Sequence, residues 1–243
     1  MRGGRQFGLA RRIRTRRGFG TVPEMTTLLY VRHGENLANV THQLSTRVVD
    51  HPLTDRGRRQ AALLAAHLAA GHEGRIRAVF SSPLVRASQT AGIIGSAVGL
   101  PVTIIDGLRE LDVGDLDGRS DDDAWRLHDE VYHAWLAGRT DAAFAGGESL
   151  PALLDRFADA LRQIGQHAPD GRAVVVGHGG ILRVAIANLF TATPEIMAVE
   201  RIGNCSITEI ELDVDDDGGV GGQVIGCARA DYLASIQEEL AAG

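Results

Sequence analysis

The sequence predicts a three-layer α/β/α protein with a mostly parallel central sheet and a helical insertion over the carboxyl end of that sheet. Three observations carry this. Short apolar runs alternate with amphipathic stretches along most of the 243 residues. The runs at 27–31 (TLLYV) and 173–176 (AVVV) lack a polar alternation, as strands buried on both faces do. Several of the runs end in Gly, Ser or Pro, and helical periodicity follows.

The elements follow in order. The strand at 27–31 stops at Arg32-His33-Gly34-Glu35. Thr54 is placed to cap a helix whose buried face carries Leu64 and Leu68. A strand at 78–80 stops at Ser81-Ser82-Pro83, and a helix over 86–98 lines up Ala87, Ala91, Ile94 and Val98. A further short strand is expected at 102–105. Residues 106–147 break the alternation; they are acidic, hold Trp125 and Trp135, and read as the helical insertion that shapes substrate access. Ser149 caps an amphipathic helix with Leu150, Leu153, Phe157, Leu161 and Ile164 on one side. The strand at 173–176 leads into a helix at 181–190. Runs at 207–212 and 223–227 flank Asp215-Asp216-Asp217-Gly218-Gly219, a hairpin-like connection.

Composition narrows function. Hydrophobic residues make up 44% and charged residues 23%, enough for a buried core in a soluble domain. No apolar run reaches the about 20 residues of a membrane-spanning helix. There is no lysine: all 25 basic residues are arginine. This excludes P-loop ATPases and Schiff-base chemistry, and the bias itself fits a GC-rich, bacterial-type genome. The two cysteines favour a reducing, cytoplasmic setting. Residues 1–24 carry seven arginines against Glu24, a net +6, which leaves −12 on the remainder. That acidic body argues against a nucleic-acid or membrane partner. The arm lacks the apolar core of a secretory signal, and is expected to be disordered or to precede the true start at Met25. The organisation is thus an arm over 1–24 and one domain over 25–243, with a homodimer left open.

Chemistry concentrates at strand ends, where open α/β sheets bind ligands. Arg32 and His33 follow the first strand. Arg86 opens a helix after Ser82-Pro83. Gly177-His178-Gly179-Gly180 joins a strand directly to a helix N-terminus, whose N–H groups favour anions. Two arginines and two histidines converging there describe a pocket for a phosphoryl group. No spacing among His42, His51, His67, His72, His128, His133 and His167 suits a metal, and most of them are expected at the surface or in the scaffold. Asp121-Asp122-Asp123 reads as a solvated loop or helix start.

In order along the chain stand LLYVRHGENLAN, PLTDRGRRQA, SSPLVRASQTA, LRELDVGDLDG, GGES and VVGHGGILR. Residues 25–227 resemble the histidine phosphatase superfamily, which includes cofactor-dependent phosphoglycerate mutase. The resemblance implies that His33 is the nucleophile and forms a phosphohistidine, its other ring nitrogen donating to a backbone carbonyl. It implies that Arg32, Arg86 and His178 hold the phosphoryl oxygens, with Asn39 and the Gly179 amide as further donors. Glu110 is implied as the acid that protonates the leaving oxygen and then activates water, with Asp112 and Asp115 as neighbouring alternatives; this asks for a carboxyl able to hold a proton near neutral pH. Glu35 is read as a support of the site. No metal and no cofactor is implied.

Rival motifs fit less well. Asp115-Leu116-Asp117-Gly118 looks like the nucleophile motif of dehalogenase-type phosphatases, but that family needs a lysine. No G-x-S-x-G elbow accompanies His178-Gly179-Gly180. Within the family, the absence of lysine and of an adjacent arginine pair in 106–147 favours a metal-independent phosphomonoesterase over a mutase. A catalytically silent phosphate-binding module is the third alternative, disfavoured because the five core positions are present. The expected substrate is a small phosphorylated metabolite with an organic group of moderate size.

Overall fold

In the computed structural model, residues 25–168, 171–215 and 217–234 are described; the arm expected over 1–24 lies outside them. The elements in chain order are β1 (Thr26–Arg32), α1 (Leu37–Val40), α2 (Asp55–Ala69), β2 (Ile76–Ser81), α3 (Val85–Val98) and β3 (Val102–Ile104). After two 3-10 turns, Asp106–Leu108 and Gly114–Leu116, come α4 (Asp122–Leu136), α5 (Leu150–His167), β4 (Arg172–Gly177), α6 (Gly179–Asn188) and α7 (Pro194–Met197). The hairpin β5 (Ile207–Val214) and β6 (Val220–Arg229) follows. One six-stranded sheet has the order β3-β2-β4-β1-β5-β6. Its first four strands are parallel, and β5 and β6 add antiparallel at one edge.

The two-residue period of the strands sorts their side chains into two cores. Leu29, Val31, Val79, Val174 and Val176 meet Leu64 and Leu68 of α2 and Ala87, Ala91 and Ile94 of α3. Leu28, Tyr30, Phe80, Ala173 and Val175 face the other way, onto Phe157, Leu161 and Ile164 of α5 and Ile181 of α6. Buried completely, a side chain the size of Phe157 contributes about 2–3 kcal/mol. Helix ends match their sequence signals: Thr54 Oγ1 accepts from Gly57 N at 3.0 Å, and Ser149 Oγ from Ala152 N at 3.4 Å. Asp121, first of the aspartate run, caps α4 by accepting from Ala124 N.

The stretch 106–147 holds α4 and the two 3-10 turns, joined by irregular connections. Gly114 adopts φ +56°, and a Cβ there would lie 2.1 Å from the Ala145 carbonyl oxygen, so the chain turns tightly and packs on itself. The helix expected at 181–190 starts at Gly179, directly after β4, which sets its first amides beside the strand end. Among the described residues no helix is long and apolar enough to cross a membrane.

Candidate active site

Strand register assembles the site. Arg32 pairs with Gly177 across β1 and β4, and Ser81 with Val176 across β2 and β4. The next residue on each strand is therefore His33, His178 or Ser82, side by side at the carboxyl edge of three central strands. The register continues one step further: His33 N donates to Gly177 O at 3.0 Å and Ser82 N to Val176 O at 2.9 Å. The imidazoles of His33 and His178, 145 positions apart in the chain, have ring centroids 5.2 Å apart.

The environment of His33 fixes which nitrogen can react. Its Nδ1 lies 2.7 Å from the Gly34 carbonyl, an acceptor only, so Nδ1 carries the proton. That leaves a lone pair on Nε2, to which Arg86 Nε donates at 3.1 Å. Burial, then the neighbouring charges of Arg86 and Arg32, hold the His33 pKa well below the usual histidine value. Burial and the same arginines do this for His178 as well. His178 Nε2 is 2.8 Å from Ser82 Oγ, while its buried Nδ1 has no protein partner. Two neutral rings beside two guanidiniums form a cationic site with an unprotonated nucleophile in it. Both histidines are therefore expected to remain neutral as pH falls through 6.5, with His33 protonated on Nδ1 alone. Nitrogen-15 NMR of labelled histidine checks this; a ring at position 33 that titrates near 6.5 contradicts it.

The arginines are built in rather than loosely attached. Arg32 Nη1 donates to Ile202 O at 2.6 Å. Arg86 is 2% exposed; its Nη1 pairs with Asp50 at 3.1 Å and its Nη2 donates to Ser45 O at 2.8 Å. Burial lowers both arginine pKa values, but Glu110 opposes this and both remain cations. A cavity of about 270 Å³ opens beside His33, lined among others by Arg32, Asn39, Arg86, Glu110 and Gly179.

Glu110 reaches this cavity from the insertion and is held by the start of α6. Its Oε1 accepts from Leu111 N and Ile181 N at 3.0 and 2.7 Å, and its Oε2 from Gly180 N at 3.0 Å. A Cβ at position 180 would stand 2.9 Å from Oε1, so the second glycine of GHGG makes room for the carboxylate. Arg156 ties down the same segment, donating to the carbonyls of Gly107, Arg109 and Glu110 while paired with Glu148. That explains GGES: Glu148 orients the arginine that shapes the Glu110 loop. Of the alternatives, Asp112 pairs with Arg47 outside this cavity and Asp115 packs against Gly146. The Asp117 carboxylate accepts from the backbone of Thr46, Arg47, Val48 and Val49, which accounts for the dehalogenase-like motif as a loop anchor. Glu35 also proves structural, bonded to Arg56 at 2.6 Å and to Thr54 at 2.8 Å. Asn39 Oδ1 accepts from Asn36 N and Asn204 Nδ2, which points its remaining donors elsewhere, and Asn39 lines the cavity.

The cavity contains residues the sequence reading missed. His128, grouped there with histidines expected mostly at the surface or in the scaffold, lines it together with Trp125 and Tyr132. These three sit at i, i+3 and i+7 on α4, a helical stripe that was available as a signal. Arg183 lines it from α6, four residues after Gly179 and so on the same face. Arg201 and Ser45 come from irregular segments that no periodicity marks. No group of three or more His, Cys, Asp or Glu among the described residues is arranged to hold a metal ion.

Comparison with known proteins agrees with this geometry. The family model described as the histidine phosphatase superfamily (branch 1) matches residues 28–219. An Arabidopsis thaliana protein named phosphoglycerate mutase-like protein 4 is 37% identical over 187 residues, covering 76% of this chain and 79% of its own. A second from Arabidopsis thaliana, named metal-independent phosphoserine phosphatase, is 33% identical over 191 residues, or 78% and 77% of the two chains. A mycobacterial glucosyl-3-phosphoglycerate phosphatase superposes with a TM-score of 0.67 at 25% identity, over 84% of this chain and 99% of that one.

Proposed function

The chain belongs to branch 1 of the histidine phosphatase superfamily, and from that premise we propose that it hydrolyses a small phosphorylated metabolite through a phosphohistidine on His33. The observation that carries the reading is the cavity lined by His33, Arg32, Arg86 and Glu110, in which the Nε2 lone pair of His33 faces two guanidiniums, with the buried His178 ring packed 5.2 Å behind it.

In the first step, phosphorus bonds to His33 Nε2 as its bond to the ester oxygen breaks. The phosphoryl group displaces the Arg86 Nε–H from that lone pair, and the same donor turns to a phosphoryl oxygen. Arg32, Arg86, the His178 Nδ1 side, the Asn39 amide and the Gly179 N–H offer donors to the three equatorial oxygens. Glu110 gives its proton to the departing alkoxide. In the second step Glu110 takes a proton from water, the oxygen attacks phosphorus, and the P–N bond breaks to restore neutral His33. Charge neutralisation comes from the arginines, so no step calls for a metal. The relative named metal-independent phosphoserine phosphatase supports this. The acidic body and the two free cysteines support a cytoplasmic enzyme acting on small molecules.

Because one relative is named mutase-like, the decisive experiment measures both outcomes. The protein is given a panel of phosphomonoesters that includes 3-phosphoglycerate with 2,3-bisphosphoglycerate, with chelator present. Release of inorganic phosphate is expected to exceed isomerisation. Isomerisation outpacing phosphate release would replace the hydrolase with a mutase, and chelator-sensitive turnover restored by Mg²⁺ would remove the phosphohistidine route.

A further inference from the structure

The cavity contains a cation that the phosphoryl chemistry does not use. Arg183 on α6 is 9% exposed and lines the cavity. Its Nη2 touches Met197 O at 3.4 Å, the outer limit of a hydrogen bond, and its Nε and Nη1 have no hydrogen-bond partner. No carboxylate among the described residues pairs with it. The other buried or half-buried arginines of the site differ: Arg32 has a backbone carbonyl, Arg86 has Asp50 and Ser45, and Arg156 has Glu148 and three carbonyls, while Arg201 on the cavity wall is exposed to water. A buried guanidinium with unmet donors is costly in a folded protein and is retained where a ligand supplies the missing acceptors.

Its position says which part of the ligand it meets. Gly180 touches Glu110, and Arg183 follows Gly180 at i+3, on the same face and about one 5.4 Å turn further along α6. Tyr132 lies within reach of both: burial dominates and pushes its phenol pKa up to about 12, Glu110 raises it further, and Arg183 lowers it by its charge and by a hydrogen bond, which leaves Nε and Nη1 as the donors without an acceptor. Arg183 therefore sits beyond the proton donor, on the leaving-group side. His33, Arg32 and Arg86 occupy the phosphoryl side.

Resting on the phosphatase reading, we infer that the alcohol released by this enzyme bears a carboxylate close to its ester oxygen, and that Arg183 binds that carboxylate. A planar carboxylate matches the guanidinium fork, pairing one unmet donor, Nε or Nη1, with Nη2, whose bond to Met197 O is already long. Glu200, also on the cavity wall, adds a carboxylate that disfavours a more highly charged second phosphate. Arg183 is thereby a specificity-determining residue, supplied by the helix after His178 and covered by Tyr132 of α4.

Matched ester pairs that differ in the carboxylate test this: O-phosphoserine against O-phosphoethanolamine, and 3-phosphoglycerate against glycerol 3-phosphate. The wild-type protein is expected to favour the acid of at least one pair by about 100-fold or more in kcat/KM, since a site with unmet donors rejects the analogue that leaves them unmet. Arg183→Gln is expected to collapse that ratio to within about 3-fold, and Arg183→Lys to retain part of it. Equal use of both members of every pair by the wild-type protein overturns the inference, whatever the variants do. So does a parallel loss on both members in Arg183→Gln with the ratio intact. Failure to release phosphate from any ester, with no phosphoryl group found on His33, would instead sink the hydrolase itself.

Discussion

His33→Ala is expected to lower kcat/KM by about 10⁴-fold or more, the scale seen when an enzyme loses its nucleophile and keeps only binding and charge stabilisation. In the wild type, rapid acid-free quenching during turnover is expected to trap a phosphoryl group that survives base and is lost in acid, the signature of a P–N bond. The variant traps none. The remaining machinery keeps its other anchors without the ring: Arg86 loses the contact of its Nε with His33 but is still held by Asp50 and Ser45, Arg32 by Ile202, and His178 by Ser82 and Tyr30. The variant should therefore still bind an oxyanion such as tungstate, measured by calorimetry. Tungstate binding without turnover separates loss of the nucleophile from loss of the fold. Turnover within 10-fold of wild type would remove His33 from the reaction.

The legibility of this site in the sequence has a physical basis. A parallel strand delivers the residue after its last ladder bond to the same edge as its neighbours, so Arg32-His33, Ser82 and Gly177-His178 could be grouped from their position after apolar runs alone. The unbroken apolar runs at 27–31 and 173–176 likewise marked strands buried on both faces, which the two cores around Leu28/Leu29 and Val174/Val175 are. Hidden information was of two kinds. Residues 106–147 fold by turns at positive-φ glycines and by side-chain anchors such as Asp117 and Arg156, and these carry no period. Arg183, by contrast, lay on a recognised helix. Its burial depends on α4 and α7 closing over it, which neither its neighbours in sequence nor the +3/+4 pattern reports. The Asp50–Arg86 pair was similarly invisible, since residue 50 lies in an irregular segment.

Glu110→Gln is expected to split the reaction by leaving group. An alkyl phosphate needs its departing oxygen protonated, and glutamine has no such proton to give, so kcat/KM on alkyl esters should fall by about 10²–10⁴-fold. p-Nitrophenyl phosphate leaves as a stabilised anion and can still phosphorylate His33. The second step then lacks its base, so a burst of nitrophenolate equal to one per active site should precede slow turnover, with phosphohistidine accumulating. Geometry sets one accompanying cost. Oε2 accepts from Gly180 N at 3.0 Å, and Oε1 from both Leu111 N and Ile181 N. Glutamine keeps an acceptor at only one of these positions and turns an N–H donor towards another, which costs about 1–3 kcal/mol of stability. Unfolding by urea measures that cost independently. Asp112→Asn and Glu35→Gln, whose carboxylates are engaged by Arg47 and Arg56, should show neither the burst nor the leaving-group split. A burst in either of them, or its absence in Glu110→Gln with alkyl and aryl esters slowed alike, would move the proton donor to another residue, because only the group that exchanges protons with the leaving oxygen and with water can separate the two half-reactions in this way.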